Sequence, residues 1–222
     1  MLATHSPSTT FTGLFVLVVG AMLGCSTTRT VRPLGSGNAA FGVSAGGPLV
    51  HAVGADLATP IVTVSEAYGV SDDLDAFANV DLTAAAYGDL HLQPGAAYHL
   101  LVRDAGPVPT LTAAASAHIL TDFDRVRVYP QLTLTAAWLI HHRHVVYLGA
   151  DGAVGLVSRT RLLVGPLLGF ELRAGRVGVG LEGKWIAPYY DVEPTAPSWI
   201  SPGSHGYLSL LVGLTYHTEL VP

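Results

Sequence analysis

The chain has 222 residues, a net charge of −5 and only 12% charged residues, against ~25% in soluble domains. Its mean hydropathy is +0.44, yet no apolar run reaches the ~18 residues that a spanning helix needs. These values exclude a helix-spanning protein and a basic nucleic-acid binder. A chain this apolar that meets lipid without a spanning helix must satisfy its backbone in a closed β-barrel.

In chain order, residues 14–24 form a short apolar run ending at Cys25, the single cysteine. The run has the length of a secretory h-region and is too short to span. One cysteine gives no intramolecular disulfide. The segment Met22-Leu23-Gly24-Cys25 resembles a bacterial lipobox, although residues 1–12 carry no Lys or Arg. The resemblance implies cleavage before Cys25 and a covalent diacylglyceryl and palmitoyl anchor on Cys25, with no other cofactor. It also implies handling by lipoprotein-sorting machinery. Ser26, where retained lipoproteins carry Asp, implies delivery to the outer membrane. The expected organisation is a leader over 1–24, a lipidated polar tether over 25–38 and a barrel over 39–220. Gly35, Ser36 and Gly37 read as flexible joints of the tether.

Alternating apolar and polar residues predict ten strands: 39–50, 59–70, 74–85, 90–102, 108–120, 125–140, 143–156, 162–173, 176–188 and 205–219. The last is the clearest: Leu208, Leu210, Val212, Leu214 and Tyr216 alternate with Ser209, Leu211, Gly213, Thr215 and His217. Connections after alternate strands are short and rich in Asp, Gly or His. The longest connection, residues 189–204, holds three prolines with Tyr189, Tyr190 and Trp199. The pattern is similar to that of small bacterial outer-membrane β-barrels. It implies an all-β, antiparallel up-and-down transmembrane barrel of about ten strands, with eight or twelve as alternatives. The C-terminal Leu220-Val221-Pro222 departs from that family's terminal aromatic residue.

The alternation assigns faces. Arg125, Arg127, Glu171, Arg173, Glu182 and Lys184 form a lumen-facing charge network, read as a plug of salt bridges or as the lining of a narrow pore. Tyr68, Tyr98, Trp138, Tyr147 and Tyr216 make one aromatic girdle and Trp185, Tyr189 and Tyr207 the other. His141, His142 and His144 have the look of a metal site, but neighbouring strand residues point apart, so a polar turn is expected and no metal. Asp89, His91, His118, Asp122, Asp124, Asp191, Glu193 and His205 fall near the outer mouth. They match no known pairing of the barrel proteases or deacylases. No catalytic residue is assigned. The expected function is non-enzymatic, structural or surface-binding through the outer loops. The alternatives are a narrow pore, a rim hydrolase and a soluble lipid-anchored cup of lipocalin type. Outer-membrane lipids and the barrel-assembly machinery are the expected partners.

Overall fold

Strands with one apolar and one polar face leave no exposed backbone only when their sheet has no edges. This chain meets the condition by closure. The computed structural model describes residues 30–52, 54–103, 106–155, 161–191 and 198–218. Among these residues the strands are β1 (Ala39–Ala52), β2 (Ala55–Ala58), β3 (Ile61–Gly69), β4 (Leu74–Asp81), β5 (Leu90–Leu101) and β6 (Thr110–Thr121). They continue as β7 (Val126–Ile140), β8 (His144–Gly155), β9 (Arg161–Ala174), β10 (Val177–Asp191), β11 (Ser198–Trp199) and β12 (His205–His217). Every pairing is antiparallel, and β1 bonds to both β12 and β3. The sheet is therefore a closed barrel of ten strands, with β2 and β11 outside the ring.

Each predicted strand corresponds to one barrel strand, with shifted ends. The largest shift is at 74–85. Here β4 stops at Asp81 and a short helix, α1 (Leu82–Ala86), follows. The Asp81 carboxylate accepts the Ala84 N–H at 3.0 Å, an N-cap bond, and the run Ala84-Ala85-Ala86 favours helix over strand. β1 also runs further than expected. It pairs with β12 as far as Pro48, then leaves the ring and pairs with β2 on one side and β11 on the other. Gly46 makes this departure possible. Its φ is +136°, and a Cβ there would collide with the carbonyl oxygen of Leu210. Neither β2 nor β11 is long enough for alternation to reveal it.

The ring has two ends. The lower end carries the turns after β3, β5, β7 and β9, the start of β1 and the end of β12. The upper end carries the β1–β2–β11 extension, α1 and the β6–β7 turn.

Burial follows the alternation on each barrel strand. On β7, Leu132 and Leu134 are 67% and 61% exposed, while Gln131, Thr133 and Thr135 between them are buried. Val43, Tyr98, Leu148, Leu168, Phe170, Leu172, Val179, Val212 and Leu214 continue the exposed apolar face around the ring. The buried interior is largely polar, with Asp75, Asn79, Asp81, His91, Gln93, His99, Thr112, His118, Glu182 and Lys184, and holds small apolar clusters such as Val145, Tyr147 and Leu167. The barrel is thus apolar outside and polar inside.

Candidate functional site: the polar interior and its strap

Two bonded groups fill the upper and middle interior. In the first, Asn79 Nδ2 donates to Gln93 Oε1 at 3.1 Å, and Gln93 Nε2 donates to Ser116 Oγ at 3.1 Å and Gln131 Oε1 at 3.0 Å. The amide oxygen of Gln131 only accepts, so His118 Nε2, at 2.5 Å, is the donor to it. His118 Nδ1 then accepts from His91 Nε2 at 3.0 Å. His91 Nδ1 lies 3.6 Å from Asp81, the residue that caps α1. His91 and His118 belong by sequence to the outer mouth. Their inward parity on β5 and β6 instead sinks them into the barrel, and His118 is 0% exposed.

In the second group, Lys184 Nζ bridges Asp151 at 3.2 Å and Glu182 at 3.3 Å. Thr133 donates to Asp151 at 2.6 Å, and Tyr147 donates to Glu182 at 2.9 Å. Three strands, β7, β8 and β10, are tied by this chain. Lower down, Glu171 pairs with Arg173 at 2.9 Å and with His217 at 3.2 Å.

The expected charge network is therefore present in part. Glu171, Arg173, Glu182 and Lys184 are brought together in pairs, and Arg127 is half-buried on the inward side of β7. Arg125 is a correction: β7 begins only at Val126, so Arg125 sits exposed in the β6–β7 turn. Asp151 and His217 join these pairs, although neither is among the charges expected in the lumen. Both stand at inward positions of predicted strands.

Of the aromatic residues assigned to girdles, most lie on the outer face and two lie on the inner one. Tyr68, Tyr98 and Tyr216 are exposed on the outer face at the lower end. Trp138 Nε1 donates to Pro107 O at 2.9 Å and Trp185 Nε1 to His205 O at 3.0 Å, so both indoles keep a partner while lying on the outer face. Tyr189, exposed at the upper end, donates its hydroxyl to Leu162 O. Tyr147, however, is only 7% exposed, because it shares its face of β8 with Asp151 rather than with Leu148. Tyr207 shares the inward face of β12 with Ser209, and its ring packs 5.4 Å from that of Trp199.

The mouth residues do not converge on one site: His91 and His118 bond to each other in the interior, and Asp191 stands opposite His205 in the β10–β12 register. Asp122 bonds the backbone of its own turn, accepting from Arg125 N at 2.7 Å and Asp124 N at 3.1 Å. His205 begins β12, on the opposite side of the ring from the β6–β7 turn. Glu193 lies outside the described residues, as does Cys25. The three histidines also diverge: His144 Nδ1 accepts the Arg173 N–H at 3.2 Å, while His142 lines a cavity. Among the described residues no three metal donors cluster.

Sequence reasoning does not foresee the lower end. The expected tether is not free there. From Thr30 to Leu34 it enters the barrel, with Thr30 and Leu34 buried and Val31 packed against the cluster of Ala137, Val145, Tyr147 and Leu167. Asp75, His99 and Thr112, inward residues of β4, β5 and β6, hold it. His99 lies 2.9 Å from Asp75 and 2.8 Å from Thr112. The Leu34 N–H reaches both Asp75 oxygens at 3.3 Å, and Thr112 Oγ1 donates to Val31 O at 3.2 Å. Carboxylate, imidazole and hydroxyl stand in the order of a hydrolytic triad. Here the hydroxyl is bonded to the strap and the site is closed over by it.

Beside the strap lies a cavity of about 440 Å³. Glu171, Arg173, His217, Tyr147 and Glu182 contribute to its wall, and glycines at 42, 180 and 213 leave it hollow. No protein-family model matches this chain, and no curated protein matches it in sequence.

Proposed function

We propose that this protein is a membrane-spanning β-barrel with a closed lumen, working as a structural or surface-binding component through its upper loops. One observation carries the reading: the ring is apolar on its outer face and polar within. Soluble monomers rarely expose continuous apolar surface on this scale, whereas a lipid-facing band between aromatic girdles is what a bilayer selects. A cup for apolar ligands would need the reverse distribution, with its greasy face inward. The paired charges and the strap support a non-conducting lumen. The lipid anchor on Cys25, an outer-membrane address and the assembly and sorting machinery as partners complete the proposal on the lipobox resemblance. A non-enzymatic role fits a hydroxyl–imidazole–carboxylate set that is bonded to the chain's own strap.

Gel mobility and conductance test this reading. Unboiled protein from washed membranes should migrate differently in SDS from boiled protein, because a closed barrel stays folded. The purified protein in planar bilayers should show no steady channel. Release into water without a boiling-dependent shift would favour the soluble cup, and steady conductance would favour the pore.

A further inference from the structure

We propose that residues 30–34 form a latched strap that opens and closes the lower chamber, hinged in residues 35–38 and locked by Asp75, His99 and Thr112. This inference rests on the barrel interior alone and does not depend on where the barrel sits.

The strap belongs to no β ladder. Its described bonds to the latch are at the long end of the hydrogen-bond range, 3.2 and 3.3 Å. It has room to move, since the cavity of about 440 Å³ runs alongside it. The hinge is built separately. Gly35 and Gly37 have φ of +77° and +82°. Gly37 N donates to Gly69 O, and Gly69 N donates to Asn38 O, both at 2.9 Å, which ties the base of the turn to β3. The carbonyl of Gly35 lies where a Cβ on Gly69 would be, so the hinge seats directly on that glycine.

The latch tolerates opening. When the strap leaves, Asp75 keeps His99 and exchanges the Leu34 N–H for water entering from the lower end. Val31 leaves the cluster of Ala137, Val145, Tyr147 and Leu167, and Leu34 leaves Ala40 and Ala67. The ring bonds are untouched. Opening exposes the wall of Glu171, Arg173 and His217. The chamber remains blind, because Lys184, Gln131 and His118 fill the interior above it. The strap therefore governs entry to a pocket, not passage through the barrel.

The test places a cysteine on the chamber wall of the full chain, Thr215→Cys, and follows its reaction with a bulky maleimide. Modification is read peptide by peptide, so that Cys25 is scored apart. With the strap intact the reaction is slow. Gly69→Ala wedges the hinge and Thr112→Val removes the Val31 bond. Each should speed the reaction at least about tenfold, the scale of one lost hydrogen bond, with the circular dichroism of the barrel unchanged. Equal rates in all chains would overturn the proposal. If a variant does not fold, hydrogen exchange in the unmodified chain decides. Amides of 30–34 should exchange far faster than those of β7, and equal protection would contradict the latch.

Discussion

Lys184 shows how single residues govern the interior. Its ammonium neutralises two carboxylates, the part-buried Asp151 and the buried Glu182. Removing one partner of a buried pair leaves an uncompensated charge, at a cost of ~3–5 kcal/mol. Lys184→Met should lose about that much stability in denaturant unfolding, and adding Asp151→Asn and Glu182→Gln should restore most of it. A single variant as stable as the parent would contradict the pairing. Asp122 makes a milder claim. The Arg125 N–H, and then that of Asp124, holds its carboxyl below the ordinary 3.8. A depressed folded value contributes stability that is complete above 3.8 and fades as pH falls through the folded value. Exchange of the Arg125 amide, relative to its intrinsic rate, should therefore quicken below pH 3.8, and Asp122→Asn should show no such step.

At the scale of elements, alternation made the ten barrel strands legible because each has one face against a polar interior and one outside. Leu208 to Tyr216 and Val126 to Trp138 could be assigned to a face from sequence alone. Where that contrast lapses, so does legibility. The Asp81-capped helix replaces the end of a predicted strand. β2 and β11 are too short to display a period. Tyr147 and Tyr207 were assigned by residue type, which favours an interface, against a strand parity that points inward. The histidine and Asp75 latch was hidden for the same reason: its members stood at inward positions, but their convergence needed the register of β4, β5 and β6. The strap has no periodicity at all. For the strands themselves the sharpest prediction is Leu134→Arg. On the proposed lipid-facing surface a charge at mid-depth costs ~2–4 kcal/mol, so this variant should unfold at markedly lower denaturant in vesicles. Thr133→Val, on the opposite face of the same strand, should act instead through its lost bond to Asp151.

For the whole molecule, closure removes every edge of the ring, and the two faces exchange the usual roles of core and surface. Large apolar side chains lie outside, and many of the polar groups within bond to one another. Strap and chamber occupy the lower end, while α1, the β1–β2–β11 extension and residues 200–204 are at the upper end. The proposed spanning barrel needs lipid around its outer face, and two of the three tryptophans offer the most direct measurement. Trp138 and Trp185 lie on the outer face near opposite ends of the barrel. In vesicles of brominated lipids their fluorescence should be strongly quenched, more by bromines near the headgroups than by bromines at the chain ends, with little quenching by aqueous acrylamide. Efficient acrylamide quenching with no effect of brominated lipid would contradict a membrane-spanning barrel.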